Sequence, residues 1–104
     1  PVVGAAYQLR YTVNGSGKIQ VEAFYKPEKE KIPLMPKFGM RMRLPSFMDY
    51  VKWYGRGEFE NYPDRKTAAL VGCYATDLNS FVTDYAFPQD NANRCDVRWF
   101  SLND

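Results

Sequence analysis

Tyr7-Gln8-Leu9-Arg10-Tyr11-Thr12-Val13 leads through Asn14-Gly15-Ser16-Gly17 into Lys18-Ile19-Gln20-Val21-Glu22-Ala23-Phe24-Tyr25. In the first arm Tyr7, Leu9, Tyr11 and Val13 alternate with Gln8, Arg10 and Thr12. In the second, Ile19, Val21, Ala23 and Tyr25 alternate with Lys18, Gln20 and Glu22. Strict alternation is the signature of a strand with one apolar face. The four residues between the arms tolerate positive φ and suit a tight turn. The stretch predicts a β-hairpin whose apolar stripe belongs to a core. Asn14-Gly15-Ser16 also has the form of a glycosylation sequon, but the turn already explains those residues.

Outward from the hairpin, residues 26–37 carry three prolines and alternating charges, which predicts an extended surface connection. Phe38, Met40, Met42 and Leu44 then alternate with Lys37, Gly39, Arg41 and Arg43, predicting a third strand. A fourth is expected over Asp49–Tyr54, with Val51 and Trp53 on one face and Tyr50, Lys52 and Tyr54 on the other. Gly55–Lys66 reads as a loop rich in glycine, proline and charge. Thr67–Leu78 is open between strand and short helix, and the strand is preferred. Residues 79–93 read as an irregular connection, and Arg94–Leu102 alternates again as a last strand. About six strands and no helix predict an all-β, mainly antiparallel β-sandwich.

The composition narrows the chemistry. The chain has 104 residues, 45% hydrophobic and 16% aromatic, enough for a single domain over residues 1–104 with its own core. There is no histidine, so imidazole cannot serve as base, proton shuttle or metal ligand. Cys73 and Cys95 fit neither a CxxC redox pair nor a zinc cluster. They allow one disulfide, and two free thiols buried as small apolar groups are the preferred reading. No apolar run approaches a membrane span. The net charge of +2 is uneven: residues 1–44 hold 8 basic and 3 acidic side chains, residues 45–104 hold 6 and 9. Pro1 in first place, and an end at Asn103-Asp104 just after an apolar run, lead us to expect a segment of something longer.

Two groups of residues invite a functional reading. Aromatics near Arg41 and Arg43 suit a single-stranded nucleic-acid surface, but they share the parity of Leu9, Val13, Met40 and Met42 and read as core. No nucleic-acid or membrane partner is expected. Glu58, Glu60 and Asp64 would allow the carboxylate pair of a glycosidase. Beside Arg56, Arg65 and Lys66, they are read instead as a hydrogen-bonded loop that fixes its own shape.

At this loop a resemblance enters. Trp53-Tyr54-Gly55-Arg56-Gly57-Glu58-Phe59-Glu60-Asn61-Tyr62-Pro63-Asp64-Arg65 resembles the W-x-G-x-G-P-x-E-x-Y-x-D-R pattern of bacterial β-galactosidases of glycoside hydrolase family 2. A second block, Pro88-Gln89-Asp90 with Arg94-Cys95-Asp96-Val97-Arg98-Trp99, resembles their P-Q-E-x-G-x-R-x-D-V-R-W segment. Glu58 stands in place of the usual proline, Asp90 in place of glutamate, and Ala92 in place of glycine. The first 45 residues match only in style.

The resemblance implies the first half of a C-terminal β-sandwich domain, similar to the large sandwich of galactose mutarotases. It implies no catalytic residue, metal ligand or cofactor in this chain, since the family's catalytic glutamates and magnesium ligands sit in a central barrel. The tryptophan that stacks on galactose comes from a later segment, so Trp53 and Trp99 do not inherit its role. The expected function is structural: packing against the remaining domains of the parent glycosidase and framing the active-site side. Self-association of the isolated chain is also expected, and bacterial cytoplasm and periplasm both stay open as the compartment. The alternatives are a free-standing sugar-binding β-module and, behind it, a single-stranded nucleic-acid-binding domain.

Overall fold

A computed structural model of the chain describes residues 4–29, 31 and 33–104. Among the described residues, five strands form two antiparallel sheets with one short 3₁₀ turn, so the chain is of the all-β, sandwich-type class. It divides into two compact units, Pro1–Arg41 and Met42–Asp104. No helix among the described residues is long and apolar enough to cross a membrane.

The first unit holds the expected hairpin, β1 (Ala5–Val13) and β2 (Ile19–Pro27), paired from Ala5↔Pro27 to Val13↔Ile19. Asn14 makes the turn. Its Oδ1 accepts hydrogen bonds from Ser16 N at 3.1 Å, Ser16 Oγ at 2.7 Å and Lys18 N at 3.0 Å. Gly17 supplies the positive φ of 78° that a side chain would resist. The stripe of Tyr7, Leu9, Tyr11 and Val13, expected as core, is 38–68% exposed. The physical reason is that the described residues of this unit form one two-stranded sheet and no second layer. Phe38 meets it edge-on, at 6.3 Å from Tyr7 and 6.0 Å from Tyr25.

The third strand expected over Phe38–Leu44 is absent, and the segment is irregular and exposed. Prolines at 33, 36 and 45 bracket it, and neither sheet offers it a ladder partner. Of the connection expected over 26–37, Lys26 and Pro27 instead close β2, where Pro27 pairs at the ribbon's end; the described residues after them are irregular, and Glu30 and Ile32 lie outside the described residues.

The second unit is a three-stranded sheet in the order β4 (Val71–Asp77), β3 (Tyr50–Arg56), β5 (Trp99–Asn103). The strand preferred over Thr67–Leu78 is present as β4. Central β3 has a neighbour on each side and shows the cleanest alternation: Val51 and Trp53 are 5% and 2% exposed, while Lys52 and Tyr54 face out. Trp53 packs on Tyr74 at 5.4 Å and on Phe81, from the 3₁₀ turn Leu78–Phe81, at 5.3 Å. Hiding one such side chain contributes about 1.5–3 kcal/mol. The core is nonetheless smaller than the composition suggested, for Val51, Trp53 and Ala69 are the buried apolar side chains among the described residues.

Three expectations change here. Gly55 and Arg56, read as loop, continue β3. The last strand begins at Trp99 rather than Arg94, because Asp96 adopts φ 54° and breaks the extended run. The broken segment still lies across the end of β3: Arg56 N donates to Cys95 O at 3.0 Å and Arg98 N to Tyr54 O at 2.8 Å. That crossing explains Gly55, where a Cβ would stand 2.8 Å from Val97 Cα and 3.2 Å from Asp96 O. Both cysteines are free, as preferred, but Cys73 is exposed and Cys95 half-buried. Cys73 shares the outward parity of β4 with Ala75, so burial was not available to it.

Candidate functional site

The two quoted blocks meet at one end of the second sheet, and Asn61 joins them. Its side chain has no exposed surface. Nδ2 donates to Phe59 O at 3.0 Å, and Oδ1 accepts from Cys95 N at 2.8 Å. Its backbone N–H donates to Asn93 O at 2.9 Å, and Asn93 Nδ2 returns a bond to Asn61 O at 2.7 Å. A buried amide is tolerated only when its donors and acceptors are engaged. Here the bonds reach both blocks.

Glu60, 9% exposed, sits beside it. Oε1 accepts from Arg65 at 3.0 Å, while Oε2 accepts from Ala92 N at 3.1 Å and lies 3.5 Å from the Tyr62 hydroxyl. Ala92 adopts φ 64°, a left-handed conformation that favours glycine, which is the residue of the family pattern at this position. Arg65 also donates to the Tyr85 hydroxyl at 2.9 Å and stacks over the Tyr62 ring at 4.7 Å. Desolvation and the Glu60 charge raise the Tyr62 phenol above its ordinary value of 10.0.

Arg56 and Lys66 do not pair with the loop carboxylates, as expected from sequence, but with Asp96. Arg56 Nε donates to Asp96 Oδ2 at 2.6 Å, and its Nη1 donates to Lys66 O at 3.2 Å and Ala69 O at 2.8 Å. Lys66 Nζ lies 3.2 Å from Asp96 Oδ2. The hydrogen bonds from Arg56, then Lys66, hold the Asp96 carboxyl below its ordinary 3.8. The self-fixing loop therefore holds for Glu60 with Arg65. Glu58 and Asp64 accept no side-chain bond among the described residues.

Arg94 lies over Phe81 at 4.2 Å and Trp53 at 5.4 Å. Its Nη2 donates to Glu58 O at 3.0 Å and its Nη1 to Asn93 O at 3.2 Å, while its buried Nε has no partner among the described residues. Desolvation lowers its pKa from the ordinary arginine value. Gly57 leaves room for the Trp53 and Tyr74 rings, 2.7 and 2.8 Å from where its Cβ would stand. The remaining quoted residues are spread outward. Gln89 borders a shallow hollow of about 230 Å³ with Tyr62, Asp64 and Arg65, and Pro88 lies on the exposed connection. Trp99 is 49% exposed opposite Tyr54, and Arg98 stacks over the Tyr54 ring at 5.8 Å. Sequence reading missed Asn93, Tyr85 and Phe81, because a polar or aromatic residue in an irregular connection carries no periodic signal.

Over its whole length, residues 1–104, the chain matches the family described as beta galactosidase small chain. The chain belongs to that family. It is 40% identical over 103 residues to a β-galactosidase of Pseudoalteromonas haloplanktis, covering 98% of this chain and 10% of that protein. A β-galactosidase of Priestia megaterium is 36% identical over 98 residues, covering 94% of this chain and 9% of the relative. One of Lactobacillus delbrueckii subsp. bulgaricus is 38% identical over 96 residues, covering 92% and 9%. The chain thus spans about a tenth of the length of the β-galactosidases it matches. Among the described residues, no group of three or more His, Cys, Asp or Glu side chains stands close enough together to hold a metal ion.

Two outcomes test this arrangement. Asn61→Ala leaves Cys95 N and Phe59 O without their side-chain partners inside the unit, and we expect a loss of about 2–4 kcal/mol in urea melts. Asp96 titrates lower in the folded chain than in the unfolded one, so its stabilisation is full above about pH 4 and is lost as pH falls through the lowered value. Asp96→Asn should therefore flatten the acid limb of stability against pH, measured by melts between pH 7 and 2.

Proposed function

We propose that the chain is a non-catalytic, architectural part of a β-galactosidase. In this reading it is one partial β-sandwich domain that packs against the remaining domains of the parent enzyme and frames the active-site side. Hydrolysis of terminal β-D-galactosides belongs to the whole protein. The observation that carries the reading is the engagement of Glu60. Both of its oxygens hold the loop in shape, through Arg65 on one side and Ala92 N on the other. A glycosidase needs two carboxylates free to face the scissile bond across about 5–10 Å. The small coverage of its relatives supports the same reading.

The exposed apolar stripe of the hairpin supports self-association of the isolated chain. A two-stranded ribbon is marginal alone, and large exposed apolar faces find partners.

We expect the purified chain to release no aryl group from an aryl β-galactoside. Turnover that disappears in Glu60→Gln would overturn the architectural reading. Sedimentation over a hundredfold concentration range should show a dimer or larger species growing with concentration. A monomer throughout would exclude self-association.

A further inference from the structure

We propose that Asn14 is a modification site whose chemistry the hairpin supplies itself. Its carboxamide is attacked by the backbone nitrogen of Gly15 and lost as ammonia, and the turn between β1 and β2 promotes the step.

The attacking group is set apart by its neighbours. Of the chain's six asparagines, Asn14 alone precedes a glycine. Gly15 has no Cβ to crowd its nitrogen, and nothing stands within 4 Å of where one would be. Asn14 N donates to Lys18 O, Gly17 N to Asn14 O, and Ser16 N and Lys18 N to Asn14 Oδ1. Among the described residues the Gly15 N–H donates to no acceptor. It is the one N–H of the turn free to give up its proton. Residues 14–17 are all exposed, so hydroxide and water reach it.

The attacked group is prepared as well. Asn14 Oδ1 accepts from Ser16 Oγ at 2.7 Å, Lys18 N at 3.0 Å and Ser16 N at 3.1 Å. Donors at these distances polarise a carbonyl and hold the charge its oxygen takes up in a tetrahedral intermediate. Cγ and Gly15 N are joined through Cβ, Cα and the carbonyl carbon of Asn14, so their bond closes a five-membered imide. The step is intramolecular and needs no second molecule brought into place.

Gly15 N yields its proton to hydroxide and bonds to Cγ. The Cγ–Nδ2 bond breaks, and Nδ2 leaves as ammonia with a proton from water. Water then opens the imide at one of its two carbonyls. Breaking the Cγ–N bond gives aspartate, whose oxygen meets the same three donors and keeps the turn. Breaking the bond between the main-chain carbonyl carbon and Gly15 N gives isoaspartate, with the chain rerouted through Cβ and Cγ. That extra atom falls inside the ring closed by Asn14 N and Lys18 O, at the point where the Val13↔Ile19 pairing begins. The site is independent of the architectural reading, and its test involves no turnover.

The full chain is incubated at pH 6 and at pH 9, digested and mapped by mass, with isoaspartate detected by enzymatic methylation. We expect a gain of about 1 Da in the peptide holding Asn14, the difference between an amide NH₂ and an acid OH. It should grow faster at pH 9, contain isoaspartate, and leave the Asn61 peptide unchanged. Gly15→Ala, whose Cβ has open space, should slow the gain about tenfold by obstructing the nitrogen. Ser16→Ala removes the shortest of the three donor bonds and should slow it about fivefold. Ser16→Thr, which keeps a hydroxyl, should restore the rate, and amide spectra report whether each variant is folded. Absence of the gain at Asn14 at both pH values, or a rate in folded Ser16→Ala equal to that of the parent chain, would overturn the proposal.

Discussion

The Asn61 amide is the constraint on which the second unit depends. It lies where water does not reach, and its oxygen and nitrogen fix two backbones at once: its own loop through Phe59 O and the 93–95 segment through Cys95 N. An aliphatic residue of similar size would fill the space but leave those backbone groups unpaired. An aspartate would accept from Cys95 but could not donate to Phe59. Only a side chain with one acceptor and one donor on the same carbon answers both. Around that point the other contacts become geometrically available: Glu60 reaches Ala92 N, and Asp96 is turned toward Arg56.

Asp96 shows how local conformation and charge cooperate. Its positive φ interrupts the strand that the alternation of Arg94–Leu102 promised. The interruption brings its carboxylate to Arg56 Nε, while Arg56 also holds the carbonyls of Lys66 and Ala69. A regular strand here would give more ladder bonds and lose this junction of three segments. Aspartate is among the few residues for which the left-handed conformation costs little.

Legibility followed periodicity. The hairpin and central β3 were readable because alternation and turn chemistry agreed, and β3 also had neighbours to enforce it. Phe38–Leu44 shows the failure: it alternates as well as β1 does, yet no strand lies beside it to accept its backbone. Alternation specifies which face would be apolar, not whether a partner exists. The site was legible as a pair of blocks through family resemblance, which marked Glu60, Asn61, Arg65 and Asp96. Their partners were not: Tyr85 and Asn93 lie in irregular chain that no pattern singles out, and Ala92, marked only as a glycine position of the family pattern, acts through its backbone N–H. The burial of the hairpin stripe was misjudged for a related reason. An apolar face states a need for cover without supplying it.

The separations along the chain carry a kinetic meaning. Hairpin pairing begins at Val13↔Ile19, across a turn of five residues, and runs outward one pair at a time. The second unit has no such local start: Tyr50 pairs with Asn103, and the Arg56–Asp96 bond spans 40 positions. Hairpins form in microseconds, whereas topologies of high contact order fold in milliseconds to seconds. The two units therefore assemble on separate clocks. For most of that interval a nascent chain shows its neighbours a ribbon that forms and opens with its apolar side uncovered, while the sheet that follows is still searching for its register.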